Sequence, residues 1–374
     1  MDEDGVVSEA AVTRVRNPQA ITAKLLAWYD ENRRDLPWRR THDPYTIWVA
    51  EVMLQQTQVT TVIPYYERFL QRFPTVEALA RANLDDVLAL WQGLGYYARA
   101  RNLHEAAKIV LQKHRGQLPQ ERATLKSLPG IGPYTSAALA SIAFGQNVPA
   151  IDANVVRVLC RLFDYADDPR KAAGKRALRR YAEALLPQGR AGDYNQAMME
   201  LGATICTKAP DCKVCPLSSF CEAYAKGLQA VRPVPRRRQE VPHRLFVSAL
   251  TEREGRLLIV RRVPEGLLGG LWELPGGPVR EGETLQEALR RHLQEELNLQ
   301  ATVGAQLGVV EHAYSHFQLT VQIYEATVKG EPKPQETWDS AHWLDPENRG
   351  DFGFTGVTVK ILDKAPWAGS DLLL

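Results

Sequence analysis

Two acidic residues sit where a carboxyl group can do chemistry. Glu51 lies within Trp48-Val-Ala-Glu51-Val-Met-Leu-Gln-Gln56, a stretch of helical pattern with apolar neighbours. Apolar surroundings disfavour the ionised form, so Glu51 is expected to keep its proton near neutral pH rather than face solvent. Asp152 opens Ile151-Asp152-Ala-Asn154-Val-Val-Arg157. It reads as the N-cap of a helix, and a carboxylate at the positive end of a helix stays ionised. A protonated acid beside a bare carboxylate is the division of labour that breaking a glycosidic bond requires. The first protonates the leaving group and the second stabilises the cationic sugar.

Two further patterns bear on binding. Leu128-Pro-Gly130-Ile-Gly132-Pro-Tyr134 joins two helical segments. Its glycines let the backbone turn tightly and leave the amides of the following helix open to an anion. Cys206, Cys212, Cys215 and Cys221 fall within sixteen residues, at spacings of five, two and five, while Cys160 stands alone. In a reducing compartment such a group reads as a metal site and not a disulfide framework, and four thiolates suit an iron–sulfur cluster or a structural zinc.

Positioning these groups falls to 374 residues, 45% apolar and 24% charged, which is globular composition and length for two or three domains. No apolar run reaches the ~18 residues of a spanning helix. The acidic start, Met1-Asp2-Glu3-Asp4, is neither a secretory signal nor a transit peptide and points to the bacterial cytoplasm. The net charge of +2 hides an asymmetry: residues 1–240 hold 33 Lys+Arg against 25 Asp+Glu, and residues 241–374 hold 13 against 19. A basic front half fits a polyanion such as nucleic acid, although by itself the charge is better accounted for by solvated helix faces.

That front half reads as successive helices, near 46–57, 58–71, 84–91, 98–113, 133–144, 153–163, 171–185 and 193–204, preceded by one that Asn17 caps and Pro18 opens. No strand is expected before residue 240. Residues 225–243, rich in proline and arginine, read as an extended linker. Beyond it, Leu245–Leu250, Leu257–Val263 and Leu319–Ala326 read as strands around a helix from Thr284 to Glu296, an α+β domain with a mixed sheet. The expected boundaries are a flexible extension 1–17, a helical domain 18–224, the linker 225–243, the α+β domain 244–368 and a tail 369–374.

The glycine-bearing segment with Asp152 some twenty residues on resembles the helix–hairpin–helix DNA repair glycosylases. Asp35-Leu-Pro-Trp38-Arg, Glu51-Val-Met-Leu-Gln-Gln-Thr, Gly93-Leu-Gly-Tyr-Tyr-Ala-Arg-Ala-Arg-Asn, Asp152-x-Asn154 and Glu200-Leu-Gly-Ala narrow the resemblance to the MutY-type adenine DNA glycosylases. It runs from about residue 18 to the C-terminus. It implies a multidomain protein: an all-α glycosylase fold of two helical lobes with an iron–sulfur loop, then a smaller α+β domain. In that domain Gly277-x5-Glu283-x7-Arg291-His-Leu-Gln-Glu295-Glu296 resembles the NUDIX signature, with His292 where the hydrolases have a glutamate and Asn298 in place of a glycine. With a ligand missing, pyrophosphohydrolase chemistry is not expected there.

The resemblance implies excision of adenine mispaired with 8-oxoguanine or guanine in double-stranded DNA, with the adenine flipped out of the stack. It assigns Glu51 as general acid and Asp152 as the group that stabilises or traps the oxocarbenium ion. Tyr134 and Asn154 would position that carboxylate. Lyase members resembling endonuclease III carry a lysine at the place of Tyr134, so hydrolysis without strand scission is expected. Arg34, Leu36, Trp38 and Gln196 would line the adenine pocket, Gln56 and Tyr96 would wedge into the duplex, and Gly130 and Gly132 would grip a backbone phosphate. Cys206, Cys212, Cys215 and Cys221 would hold a [4Fe–4S] cluster, zinc being the lesser alternative, with the first spacing one residue shorter than the family's six. Tyr314-Ser315-His316 would contact the 8-oxoguanine, the Ser315 hydroxyl accepting its N7 hydrogen. A monomer with no membrane partner is expected. The rivals are an endonuclease III-like or thymine mismatch glycosylase, a NUDIX nucleotide hydrolase with a DNA-binding helical domain, and a non-catalytic lesion-binding protein.

Overall fold

The computed structural model describes residues 15–235, 241–314 and 316–364. These form two compact units, one of residues 15–66 with 109–235 and the other of residues 67–108 with 241–364. The helices of the front half are α1 (Pro18–Asn32), α2 (Pro44–Met53), α3 (Val59–Arg72), α4 (Val76–Arg81), α5 (Leu84–Trp91) and α6 (Ala98–His114), followed by α7 (Arg122–Ser127), α8 (Pro133–Ile142), α9 (Ala153–Leu162), α10 (Ala172–Leu185), α11 (Ala191–Thr204) and the single turn α12 (Glu222–Ala225). Among the described residues no strand precedes His243.

In the first unit α1, α9, α10 and α11 share one core, with Leu25, Tyr29, Leu159, Cys160, Ala197 and Leu201 buried together. Burial of that apolar stripe, and not propensity alone, holds helices this short. α9 starts where it was expected to, because the Asp152 side chain accepts the Val155 amide at 2.7 Å. α1 starts differently. Asn17 adopts a left-handed conformation (φ 50°) with no side-chain cap bond, and Pro18 alone sets the first turn. α4 and α7, each six residues long, were not anticipated, since six residues hold barely one apolar repeat. Residues 226–235 do not run free: the Arg232 guanidinium donates to Asp164 at 2.8 Å, and Arg161 of α9 donates to the Arg232 carbonyl at 3.0 Å.

The second unit holds β1 (His243–Leu250), β2 (Glu252–Arg253), β3 (Arg256–Arg262), β4 (Trp272–Glu273), β5 (Gly276–Pro278), β6 (Gln300–Ala313), β7 (Gln318–Lys329) and β8 (Trp338–Leu344), with α13 (Leu285–Leu297) and α14 (Gly356–Leu362). One sheet runs β5-β1-β7-β6, with β1 and β7 parallel and the other pairs antiparallel; a second holds β2, β3, β4 and β8. The sheet is therefore mixed, as expected. α13 begins with a capping box between Thr284 and Glu287. The helices of residues 67–108 belong to this unit: Tyr97 of the α5–α6 connection donates to the Phe354 carbonyl at 3.2 Å, and Asp85 of α5 pairs with Arg261 of β3 at 3.1 Å.

Candidate active site

α2 is fixed by Pro44 at its first position and by the Asp43 side chain, which accepts the Tyr45 and Thr46 amides. Along its buried face α2 carries Glu51, only 6% exposed. Tyr134 enters from the first turn of α8, Asp152 and Asn154 from the start of α9, and Gln196, Met199 and Glu200 from α11. These side chains line one cavity of about 840 Å³ in the first unit, and Arg34, Leu36, Trp38 and Gln56 line it as well.

Glu51 is set as an acid. Its carboxyl is raised to about 7: burial is the largest cause and the charge of Asp152 adds to it, while the neighbouring Tyr134 hydroxyl and the charge of Arg39 act against them. Among the described residues its Oε2 is buried without a hydrogen-bond partner, on the wall of the cavity. An unmet buried carboxyl oxygen is costly unless a ligand meets it.

Asp152 differs from expectation in one respect. Burial raises its pKa; hydrogen bonds from the Val155 amide and from Asn154 (Nδ2 to Oδ2, 2.8 Å) work against that without reversing it. The helix end moderates the burial cost and does not cancel it. Asn154 thus holds Asp152 directly. The Tyr134 hydroxyl donates to the Met199 sulfur at 2.9 Å and feels the charges of both Glu51 and Asp152.

Glu200 carries the structure beneath. Arg34 donates to it from Nε (2.7 Å) and Nη2 (2.8 Å), and Arg39 from Nη2 (2.8 Å). Burial pushes this carboxyl up, but the bonds from Arg34 and Arg39 outweigh it and hold it at about 2. Arg34 is therefore both a cavity wall and a partner of Glu200. Trp38 is 8% exposed and meets Tyr66 edge to face at 5.4 Å, so it is a core aromatic and a cavity wall at once. Gln56 is exposed at φ 61°; Tyr96, in the second unit, is 49% exposed at φ 50°. Non-glycine residues held at positive φ mark functional sites more often than chance. Of the two glycines, only Gly130 (φ 75°) needs to be one for its backbone; Gly132, at φ −83°, is the N-cap of α8, with open space where a side chain would stand.

The four clustered cysteines line one small cavity together with Arg161. Arg161 donates to the Cys206 sulfur at 3.4 Å and to the Thr207 carbonyl at 2.6 Å, while Arg157 donates to the Cys206 carbonyl at 2.7 Å. Among the described residues no three His, Cys, Asp or Glu side chains converge on one point as a single ion demands. Four thiols with a guanidinium beside them are a donor set that an iron–sulfur cluster or a structural zinc could use.

In the second unit, Tyr314 and His316 lie in the connection between β6 and β7, and Ser315 falls outside the described residues. Tyr314 is turned into its own unit against Phe317 (centroids 4.7 Å apart) and lines a cavity of about 350 Å³, whereas His316 is exposed. Glu283, just ahead of α13, is clamped by Arg291 of that helix at 2.5 and 2.8 Å, and Glu296 on α13 accepts from Trp338 and bonds to His292, both at 2.8 Å. His292, at the place of the missing glutamate, thus ties up a neighbouring carboxylate.

Sequence reading missed Arg39, Met199 and the role of Glu200. The cue was present only in part: a glutamate following Met198-Met199 on a helix is a candidate for burial, but its two arginines lie more than 160 residues away.

Residues 49–184 match the model of the HhH-GPD superfamily of base excision DNA repair proteins, and residues 246–364 match that of the NUDIX domain. Among curated proteins, the adenine DNA glycosylase of Rattus norvegicus is 38% identical over 380 residues, covering 87% of this chain and 74% of its own. The adenine DNA glycosylase of Homo sapiens is 39% identical over 385 residues, covering 88% and 70%. Among solved structures, a thermostable thymine-DNA glycosylase aligns at 32% identity with a TM-score of 0.52, over 56% of this chain and 97% of that one.

Proposed function

The chain belongs to the adenine DNA glycosylases, base excision repair enzymes that hydrolyse the N-glycosyl bond of adenine, and from that premise we propose that it removes adenine opposite 8-oxoguanine or guanine with Glu51 and Asp152 as its working pair. Glu51 protonates the flipped adenine ring and makes it a leaving group. Asp152, held by Asn154, stabilises the sugar cation or traps it before water attacks. No lysine stands at Tyr134, so the product is an intact abasic strand. Gln56 and Tyr96 fill the duplex where the base left. Tyr314, Ser315 and His316 of the NUDIX unit read the opposite base. The enzyme works as a monomer on double-stranded DNA in the bacterial cytoplasm.

The observation that carries this reading is a buried acid with one oxygen unmet, sharing a cavity with a second carboxylate. Cys206, Cys212, Cys215 and Cys221 would hold a [4Fe–4S] cluster, whose contribution is to brace the loop carrying Lys208 and Lys213. Its visible absorption, lost in Cys212→Ser, would identify it. The function is tested by incubating the protein with duplexes bearing adenine opposite each base. Alkali-dependent cleavage confined to 8-oxoguanine and guanine partners is expected; cleavage without alkali, or equal excision opposite thymine, overturns the reading.

A further inference from the structure

The connection between α5 and α6 carries an exposed aromatic ring on an unfavourable backbone. Gly93 (φ 92°) and Gly95 (φ 74°) take the left-handed region freely, but Tyr96 takes it as well (φ 50°), with 49% of the residue exposed. A bulky L-residue rarely holds that conformation unless its surroundings impose it. Here one buried residue does so. Arg99, in the first turn of α6 and only 7% exposed, donates from Nη2 to the Leu94 carbonyl at 3.1 Å and to the Gly95 carbonyl at 2.9 Å. Its backbone amide donates to the Tyr96 carbonyl at 2.9 Å, so three successive carbonyls accept from this residue. Its guanidinium carbon lies 5.4 Å from the ring centroid of Tyr96 and 5.4 Å from that of Trp91, the fully buried last residue of α5. Trp91 Nε1 adds a bond to the Gly95 carbonyl at 3.1 Å. Burial draws the Arg99 pKa down to about 10, which leaves it cationic near neutral pH and attractive to both rings. A planar guanidinium donates to carbonyls from its edge and offers its face to a ring, whereas an ammonium is a point charge on a flexible stem.

We infer that Arg99 is a positioning residue for Tyr96: by tying down the carbonyls of residues 94–96 and attracting the ring, it keeps the Tyr96 side chain projecting into solvent before any DNA is bound. The inference rests on Tyr96 being the side chain that fills the duplex when adenine leaves. The flanks of the connection are held independently. The Gly93 amide donates to the Tyr97 hydroxyl at 3.3 Å, and that hydroxyl donates to the Phe354 carbonyl at 3.2 Å. Loosening the Arg99 side chain therefore frees Tyr96 without releasing the connection. A ring that is already ordered does not have to be ordered as it enters the base stack, so extrusion of the adenine is faster. Arg99 acts through Tyr96 and lines no part of the cavity around Glu51.

The test is stopped-flow fluorescence of 2-aminopurine placed beside the adenine of an adenine–8-oxoguanine duplex, which brightens as the adenine unstacks. It is run with the full chain and followed by single-turnover excision. Arg99→Lys keeps the charge and loses the planar fork. It is expected to slow the fluorescence rise by about tenfold, and excision with it. In a Tyr96→Leu background, itself slow, adding Arg99→Lys is expected to slow the rise no further. A parental rise in Arg99→Lys overturns the inference. So does an equal slowing with and without the Tyr96 ring, which reduces Arg99 to a brace of the fold. Should Arg99→Lys fold poorly, fluorine NMR of the full chain carrying fluorotyrosine takes over, with the Tyr96 signal assigned by its loss in Tyr96→Phe. A signal displaced from that of the free amino acid before DNA is added is expected; one at the free amino-acid position overturns the inference. Failure of the underlying reading looks different: Tyr96→Leu would then extrude adenine at the parental rate, and the role of Arg99 would fall with it.

Discussion

The two units each gather glutamates, and they treat them in opposite ways. In the first, Glu51 is buried with an oxygen that no described residue meets, and burial pushes its pKa to about 7. In the second, Glu283, just ahead of α13, and Glu296, on it, are matched from within, Glu283 by Arg291 and Glu296 by His292 and Trp338. A carboxyl group with an unmet oxygen beside a cavity is available to a substrate; one saturated by its own chain is a brace. The same residue type is thus left open to a cavity in one unit and fastened in the other. A NUDIX match alone says nothing about hydrolysis while those glutamates are tied.

The sharpest way to break this contrast is to neutralise one glutamate from each side. Glu51→Gln is expected to slow single-turnover excision by about 10²–10⁴-fold while retaining duplex binding. Glu283→Gln should leave excision within about twofold, since it removes no transition-state interaction. Near-parental rates for Glu51→Gln would remove the reagent from the first unit. Asp152→Asn comes next, with a loss of about 10²–10³-fold and mispair binding kept, read by gel shift beside single-turnover rates.

Titration sharpens the contrast within the first unit. Excision should fall as pH rises through about 7, where Glu51 loses its proton, and Glu51→Gln should lack that limb. For stability, the raised pKa of Glu51 favours the fold below its ordinary value of 4.5, and that contribution is lost as pH climbs towards about 7. Glu200, held at about 2, contributes in the opposite sense: its stabilisation is present above 4.5 and lost as pH falls through about 2. Glu200→Gln should cost about 2 kcal/mol at neutral pH in denaturant unfolding, discounted because the Arg34 side chain is 39% exposed. The smallest effect falls in the second unit: Glu283→Gln should lower its stability only slightly in denaturant unfolding, and a loss as large as that of Glu200→Gln would mean that the clamp does more than fasten a helix.

Glu51 was legible in the sequence because its apolar neighbours are adjacent in the chain, and local order is what a sequence displays. Asp152 was legible as a cap for the same reason. Glu200 was not, because Arg34 and Arg39 come to it from the far end of the helical unit. Tyr134 lines the cavity with Glu51 and Asp152, but its partner Met199 was not legible, because that pairing depends on packing between α8 and α11. In the second unit β1, β3 and β7 follow their apolar runs. β6 escaped because two register shifts, near Gln306, break its alternation and leave a run of exposed residues. α4 and α7 escaped for want of length.

Close to the chemistry, a cysteine-bearing loop and a carboxylate turn out to share a hinge pin. Arg157 grips the Cys206 carbonyl with Nε at 2.7 Å, and with Nη2 it reaches both the Gly202 carbonyl (2.7 Å) and the Asn154 side chain (2.8 Å), which in turn holds Asp152. A Cβ at Gly202 would stand 2.6 Å from that of Asn154, so the assembly has no slack. A displacement of that loop is therefore expected to shift Asp152 by leverage through Arg157 and Asn154, without any substitution among the residues that line the cavity.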